Sequence, residues 1–113
     1  MPFKNRARYS HRRKVIVLGG APDGDLVASK LLQMPDRYEV IGIFDDRWKR
    51  LQSQNMQHCV PVKGSVDDMI TLCRQELPDM IVIAIFDARR ERLRDILHKV
   101  IVLPVDIYLA ADI

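Results

Sequence analysis

The run Lys14-Val15-Ile16-Val17-Leu18-Gly19-Gly20-Ala21-Pro22-Asp23-Gly24 constrains the fold of this chain more than any other stretch. A short β-branched apolar segment stops at a glycine pair, and a helical pattern begins at once. That order of strand, tight turn and helix start opens a doubly wound α/β sheet, where the turn brings backbone N–H groups to a phosphate. Measured against G-x-G-x-x-G, glycines stand at Gly19 and Gly24, while Ala21 takes the middle place beside Gly20. Ala21 adds a Cβ where a pyrophosphate needs close backbone approach. Pro22 deletes an N–H donor, and Asp23 sets a negative charge at the positive end of the helix. The fold signal is therefore stronger than the ligand signal, and CoA or NAD(P) is expected to bind weakly here.

The rest of the chain continues the alternation. Val27, Ala28, Leu31 and Leu32 form the apolar stripe of the first helix, which Pro35-Asp36 ends. Tyr38 to Phe44 reads as strand two. Arg47 to Gln57 is weakly patterned and polar, with Trp48 and Leu51 as anchors of a short turn or helix. Cys59 to Val62 reads as a short third strand, with Pro61 tolerable at a sheet edge. Ser65-Val66-Asp67-Asp68 has the form of a capping box, followed by Val66, Met69, Ile70, Cys73 and Leu77 at helical spacing. Met80 to Phe86 has no polar residue, so both its faces are expected to be covered, as in a central parallel strand. Leu93, Ile96, Leu97, Val100 and Ile101 give the inner stripe of the last helix, and Pro104 to Leu109 the last strand. The expectation is an α/β, Rossmann-like, doubly wound sheet of about five parallel strands in the order 3-2-1-4-5, with helices on both faces.

At 113 residues the chain has the length of one domain, which commonly runs to about 100–150 residues. We divide it into a basic leader, residues 1–12, and a Rossmann-like domain, residues 13–113. The net charge of +3 is concentrated early: Lys4, Arg6, Arg8, Arg12, Arg13 and Lys14 meet no acid, and His11 lies among them. Such a segment is either a solvated terminus or a juxtamembrane stretch facing anionic lipid. Nucleic acid is excluded as a partner at this stage, because neither an RNA-binding aromatic signature nor a recognition helix accompanies the charge. No apolar run approaches the roughly 20 residues of a membrane span, and no secretory signal is evident. Cys59 and Cys73 lack disulfide or metal spacing and read as free thiols of a reducing compartment.

Several residues could carry binding. Asp45 and Asp46 close strand two, where an acid can take both hydroxyls of an adenosine ribose or simply hold a turn. Arg47, with Lys49 and Arg50, could meet a ribose phosphate and so favour CoA or NADP over NAD. Asp87 follows the central strand at the crevice where such sheets bind ligands, and it is also a natural helix cap. The candidate binding set is Gly19, Gly20, Ala21, Gly24, Asp45, Asp46, Arg47 and Asp87. Arg89, Arg90, Arg92 and Arg94 give the last helix a basic outer surface. His58-Cys59 has no companion ligands or general base, and there is no triad, P-loop lysine or nucleophile elbow. No catalytic or metal-ligating residue is assigned.

Five segments in order carry a resemblance. They are Arg13 to Gly20, Tyr38 to Asp46, Val60 to Ser65, Asp79 to Ile85, and Arg89 to Leu93. Together they resemble the soluble CoA-binding domain of bacterial polyprenyl glycosylphosphotransferases, membrane enzymes that start exopolysaccharide or capsule synthesis. A similar domain precedes the catalytic part of membrane-bound nucleotide-sugar epimerase/dehydratases. The resemblance implies a non-catalytic, regulatory or assembly role at the cytoplasmic face of the inner membrane. The transmembrane and catalytic domains of a parent protein would be its partners, anionic lipid would meet the leader, and a second copy of the chain is a further candidate. The alternatives are the Rossmann part of a nucleotide-sugar dehydratase or epimerase, whose Tyr-x-x-x-Lys pair is absent, and a free-standing NAD(P) or CoA sensor.

Overall fold

The computed structural model describes residues 12–20, 22–53, 60–85 and 90–110. Within them the elements run β1 (Arg13–Leu18), α1 (Asp23–Leu32), β2 (Tyr38–Phe44), α2 (Trp48–Ser53), β3 (Val62–Gly64), α3 (Val66–Gln75), β4 (Met80–Ile83), α4 (Arg90–Val100) and β5 (Asp106–Leu109). All four strand pairings are parallel, and the sheet order is β3-β2-β1-β4-β5. This is the expected Rossmann-like α/β sheet.

The period-two alternation of each strand divides the core into two layers. Val15, Val17, Ile43, Val62 and Val82 point to one face, where Val27, Ala28 and Leu31 of α1 and Leu51 of α2 cover them. Ile16, Leu18, Phe44, Ile81 and Ile83 point to the other, under Met69 and Cys73 of α3 and Ile96 and Val100 of α4. Every residue of β4 is buried, as a strand between β1 and β5 with helices on both sides must be.

Three expectations are corrected in detail. The third strand begins at Val62, with Val60 and Pro61 ahead of the ladder and Cys59 outside the described residues. Pro61 has no N–H for a ladder and serves only as an acceptor, taking the Ile43 N–H at 3.3 Å. The fourth strand ends at Ile83. Ala84 turns its N–H to the Leu18 carbonyl at 2.7 Å and packs under the Gly19 turn, and Phe86 lies outside the described residues. Leu32, Leu77 and Ile101 are exposed rather than core. Each sits at or past the end of a helix: Leu32 is the last residue of α1, Leu77 follows α3 and Ile101 follows α4.

Candidate site at the carboxyl edge of the sheet

The carboxyl ends of β1 and β2 meet at the Gly19–Gly20 turn. Gly19 has φ +118, and a Cβ there would run into the Ala84 carbonyl, so the turn demands glycine. Gly24 lets α1 press on the turn: a Cβ would overlap the Gly19 carbonyl oxygen. Both glycines thus serve the close passage of strand, turn and helix. The first turn of α1 carries Asp23 and Asp25, and Pro22 stands at its N-cap without a side-chain cap bond. Those carboxylates supply the negative charge that favours a helix N-terminus. Ala21 lies outside the described residues.

Asp45 organises this edge. It is 1% exposed, and its carboxylate accepts from three sides. Oδ2 takes the Gly20 N–H at 2.7 Å and Arg47 Nη2 at 2.8 Å. Oδ1 takes the Arg47 N–H at 2.8 Å, Arg47 Nε at 3.1 Å and Arg92 Nη2 at 3.3 Å. Burial alone would push the Asp45 carboxyl up. The Arg47 side chain and the backbone N–H groups of Arg47 and Gly20 outweigh it and hold the pKa at about 2. Its lone pairs are directed at internal donors, and the side chain holds the turn. The paired guanidinium of Arg47 moves the other way: its pKa is raised chiefly by the hydrogen bond to Asp45, against burial, with the charges of Asp45 and Asp23 adding.

Asp46, the neighbour, is exposed and accepts the Val66 N–H at 3.0 Å, tying the start of α3 to the end of β2. The Ser65 cap is formed as expected, with Asp68 N–H on Ser65 Oγ at 3.1 Å and Ser65 N–H on Asp68 Oδ2 at 2.9 Å. Two clefts adjoin Asp46. One, about 440 Å³, is lined by Arg92, Arg94, Asp95, His98 and Lys99 of α4; the other, about 420 Å³, by Arg47, Trp48, Lys49 and Arg50. Cavities of this size accept small ligands. Asp87, His58, Cys59 and the leader through His11 lie outside the described residues. The last basic residues of that cluster are engaged at the opposite edge, Arg13 with Asp106 and Lys14 with Glu76.

Arg92 is the residue that sequence reasoning missed. Read only as outer basic surface, it reaches a carboxylate 47 positions earlier. A signal was present: Arg92, Ile96 and Val100 recur at helical spacing, and the last two are buried. Arg92 therefore lies on the inward face, in the first turn of α4.

With this geometry, residues 3–111 match the CoA-binding domain family. The chain belongs to that family. Among curated proteins, none matches the chain. Among solved structures, this CoA-binding domain is similar to RSP, a Rex-family repressor, with a TM-score of 0.62 and 16% identity over 96% of this chain and 59% of that one. RSP in complex with β-NADH gives 0.59 and 17%, over 95% and 57%. RSP with β-NAD+ and operator DNA gives 0.57 and 14%, over 96% and 54%. At these identities the likeness is one of fold, and the chain spans under three fifths of each RSP chain. One expectation is overturned. Nucleic acid was excluded as a partner for want of a recognition helix, yet a chain sharing this fold is solved on operator DNA. One domain's motifs do not exclude a partner engaged through the rest of a longer chain.

No helix among the described residues is long and apolar enough to cross a membrane.

Proposed function

We propose that this CoA-binding domain is a non-catalytic sensor of an adenosine-containing anionic nucleotide of the CoA or NAD(P) class, held at the carboxyl edge of its sheet. The observation that carries the reading is the pair of ligand-sized clefts, about 440 and 420 Å³, that share Asp46 at the carboxyl end of β2, one lined by Arg92 and the other by Arg47. The binding set in this proposal is Gly19, Gly20, Ala21, Gly24, Asp46, Arg47 and Asp87, with Asp45 positioning the turn. Calorimetry with CoA, NAD+, NADH and NADP+ tests it. At least one nucleotide should bind unchanged at one site per chain, with Kd between about 10 μM and 1 mM. No heat and no amide shifts with any of them at millimolar concentration would overturn the reading.

A second reading places the sensor in a membrane-bound exopolysaccharide sugar-1-phosphate transferase, at the cytoplasmic face. The ordered set of five resembling segments supports it. Those segments are also the ones that build β1, β2, β3, β4 and the start of α4, so the fold accounts for much of their pattern. Translation of the coding sequence on either side decides it: membrane spans before and transferase motifs after would support the second reading, and their absence would remove it.

A further inference from the structure

Arg47 and Arg92 approach one carboxylate from opposite lips of the crevice. Arg47 stands between β2 and α2, and Arg92 in the first turn of α4. The Asp45 side chain is fully buried, while those of Arg47 and Arg92 are 38% and 33% exposed. Two guanidiniums facing one carboxylate leave a net positive charge on the trio, which the exposed carboxylate of Asp46 balances; the further cations lining the two clefts, Arg94, Lys99, Lys49 and Arg50, outnumber the one further acid, Asp95. Each guanidinium carries five N–H donors in a planar fork. Arg47 gives two side-chain contacts to Asp45 and Arg92 gives one, the longest of the set at 3.3 Å. Arg47 Nε and Arg92 Nη2 reach the same oxygen, Asp45 Oδ1, and the clefts that the two residues line meet at Asp46. Lys99, the other cation of the larger cleft with a carboxylate partner, is paired with Asp67 at 3.2 Å.

We propose that Arg47 and Arg92 form a two-guanidinium clamp for a phosphate group, with Asp45 as the fixed counter-ion that sets their spacing. Planar forks match the paired oxygens of a phosphate, and a counter-ion already buried beneath them removes part of the cost of bringing two like charges together. The clamp takes over the task that the Ala21-Pro22-Asp23 loop is badly built to perform. It also ties the first turn of α4 to the end of β2, so a bound phosphate joins the two lips of the crevice. The subsite rests on the nucleotide reading for its natural ligand, a phosphate that a free nucleotide or a nucleic-acid backbone could equally supply.

Inorganic pyrophosphate is the probe, titrated by calorimetry and amide NMR into the intact chain and into Arg47→Gln, Arg92→Gln, Arg92→Lys and Arg37→Gln. Arg37 is exposed before β2 at the opposite edge and reports generic charge. Each glutamine change at the clamp should weaken binding about tenfold or more, with Arg92→Lys intermediate and Arg37→Gln unchanged. Shifts should centre on Gly20 and Arg92. Equal binding by Arg92→Gln, or equal loss in Arg37→Gln, overturns the clamp. Amide spectra of each variant establish that it is folded, and Arg92→Lys keeps the test open should Arg92→Gln fail to fold. CoA and a short DNA duplex, each competed against pyrophosphate, distinguish the two phosphate sources. Pyrophosphate binding without nucleotide binding keeps the clamp and removes the sensor reading. Nucleotide binding indifferent to Arg92→Gln does the reverse.

Discussion

The two edges of the sheet carry the same kinds of charged residue and use them differently. At the amino edge, Arg13 meets Asp106 and Lys14 meets Glu76, one to one, all four side chains between 37% and 64% exposed. At the carboxyl edge a single carboxylate with no exposure gathers two guanidiniums and the N–H groups of two residues. Water solvates both members of an exposed pair whether or not they touch, so such a contact adds little. A buried carboxylate has no such alternative, and its donors lose their partner if it is removed. Burial and the number of donors, not the existence of an ion pair, decide which edge organises the molecule.

The sharpest way to break this contrast is Asp45→Ala. It leaves the Gly20 N–H unpaired at a buried position and the Arg47 N–H at a half-buried one, and we expect a loss of about 3 kcal/mol in urea unfolding. A loss below about 1 kcal/mol would place Asp45 with the amino-edge pairs.

The pH dependence should follow the same residue. The folded pKa of Asp45 lies below its ordinary value, about 2 against 3.8. A lowered carboxyl pKa stabilises the fold above the unfolded value, and that contribution is lost as pH falls toward the folded one. The difference is worth roughly 2 kcal/mol, so stability should decline below about pH 4, with the Asp45 part lost by about pH 2. Asp45→Asn should lack this component when urea unfolding is repeated across pH.

A smaller effect is expected at the Ser65 cap, beside the same edge. Ser65→Ala removes one arm of the capping box and should lower stability by about 1 kcal/mol, read from thermal or urea melts. Smallest of all, Glu76→Gln breaks the exposed pair with Lys14 and should leave the melting temperature unchanged within error. A clear drop there would show that the amino edge contributes more than its exposure suggests.

Much of the fold could be read along the chain because its signals are local. The glycines at 19 and 24, the apolar strands and the Ser65 capping box each reflect backbone geometry within a few residues, and strand order followed from the regular alternation of element types. The site was legible only in part. Sequence position put Asp45 at the right edge and offered two roles for it, ribose acceptor or turn holder. Which one prevails depends on donors brought from elsewhere. Gly20 lies 25 positions away and Arg92 47 positions away. The fate of Leu32, Leu77 and Ile101 was also undecided, because helical spacing specifies a face and not where the helix stops, and all three lie at or past a helix end. Periodicity by itself determined the layers of this protein. Only the tertiary structure decided which charges meet, because burial and long-range hydrogen bonding depend on what the rest of the chain places around a side chain.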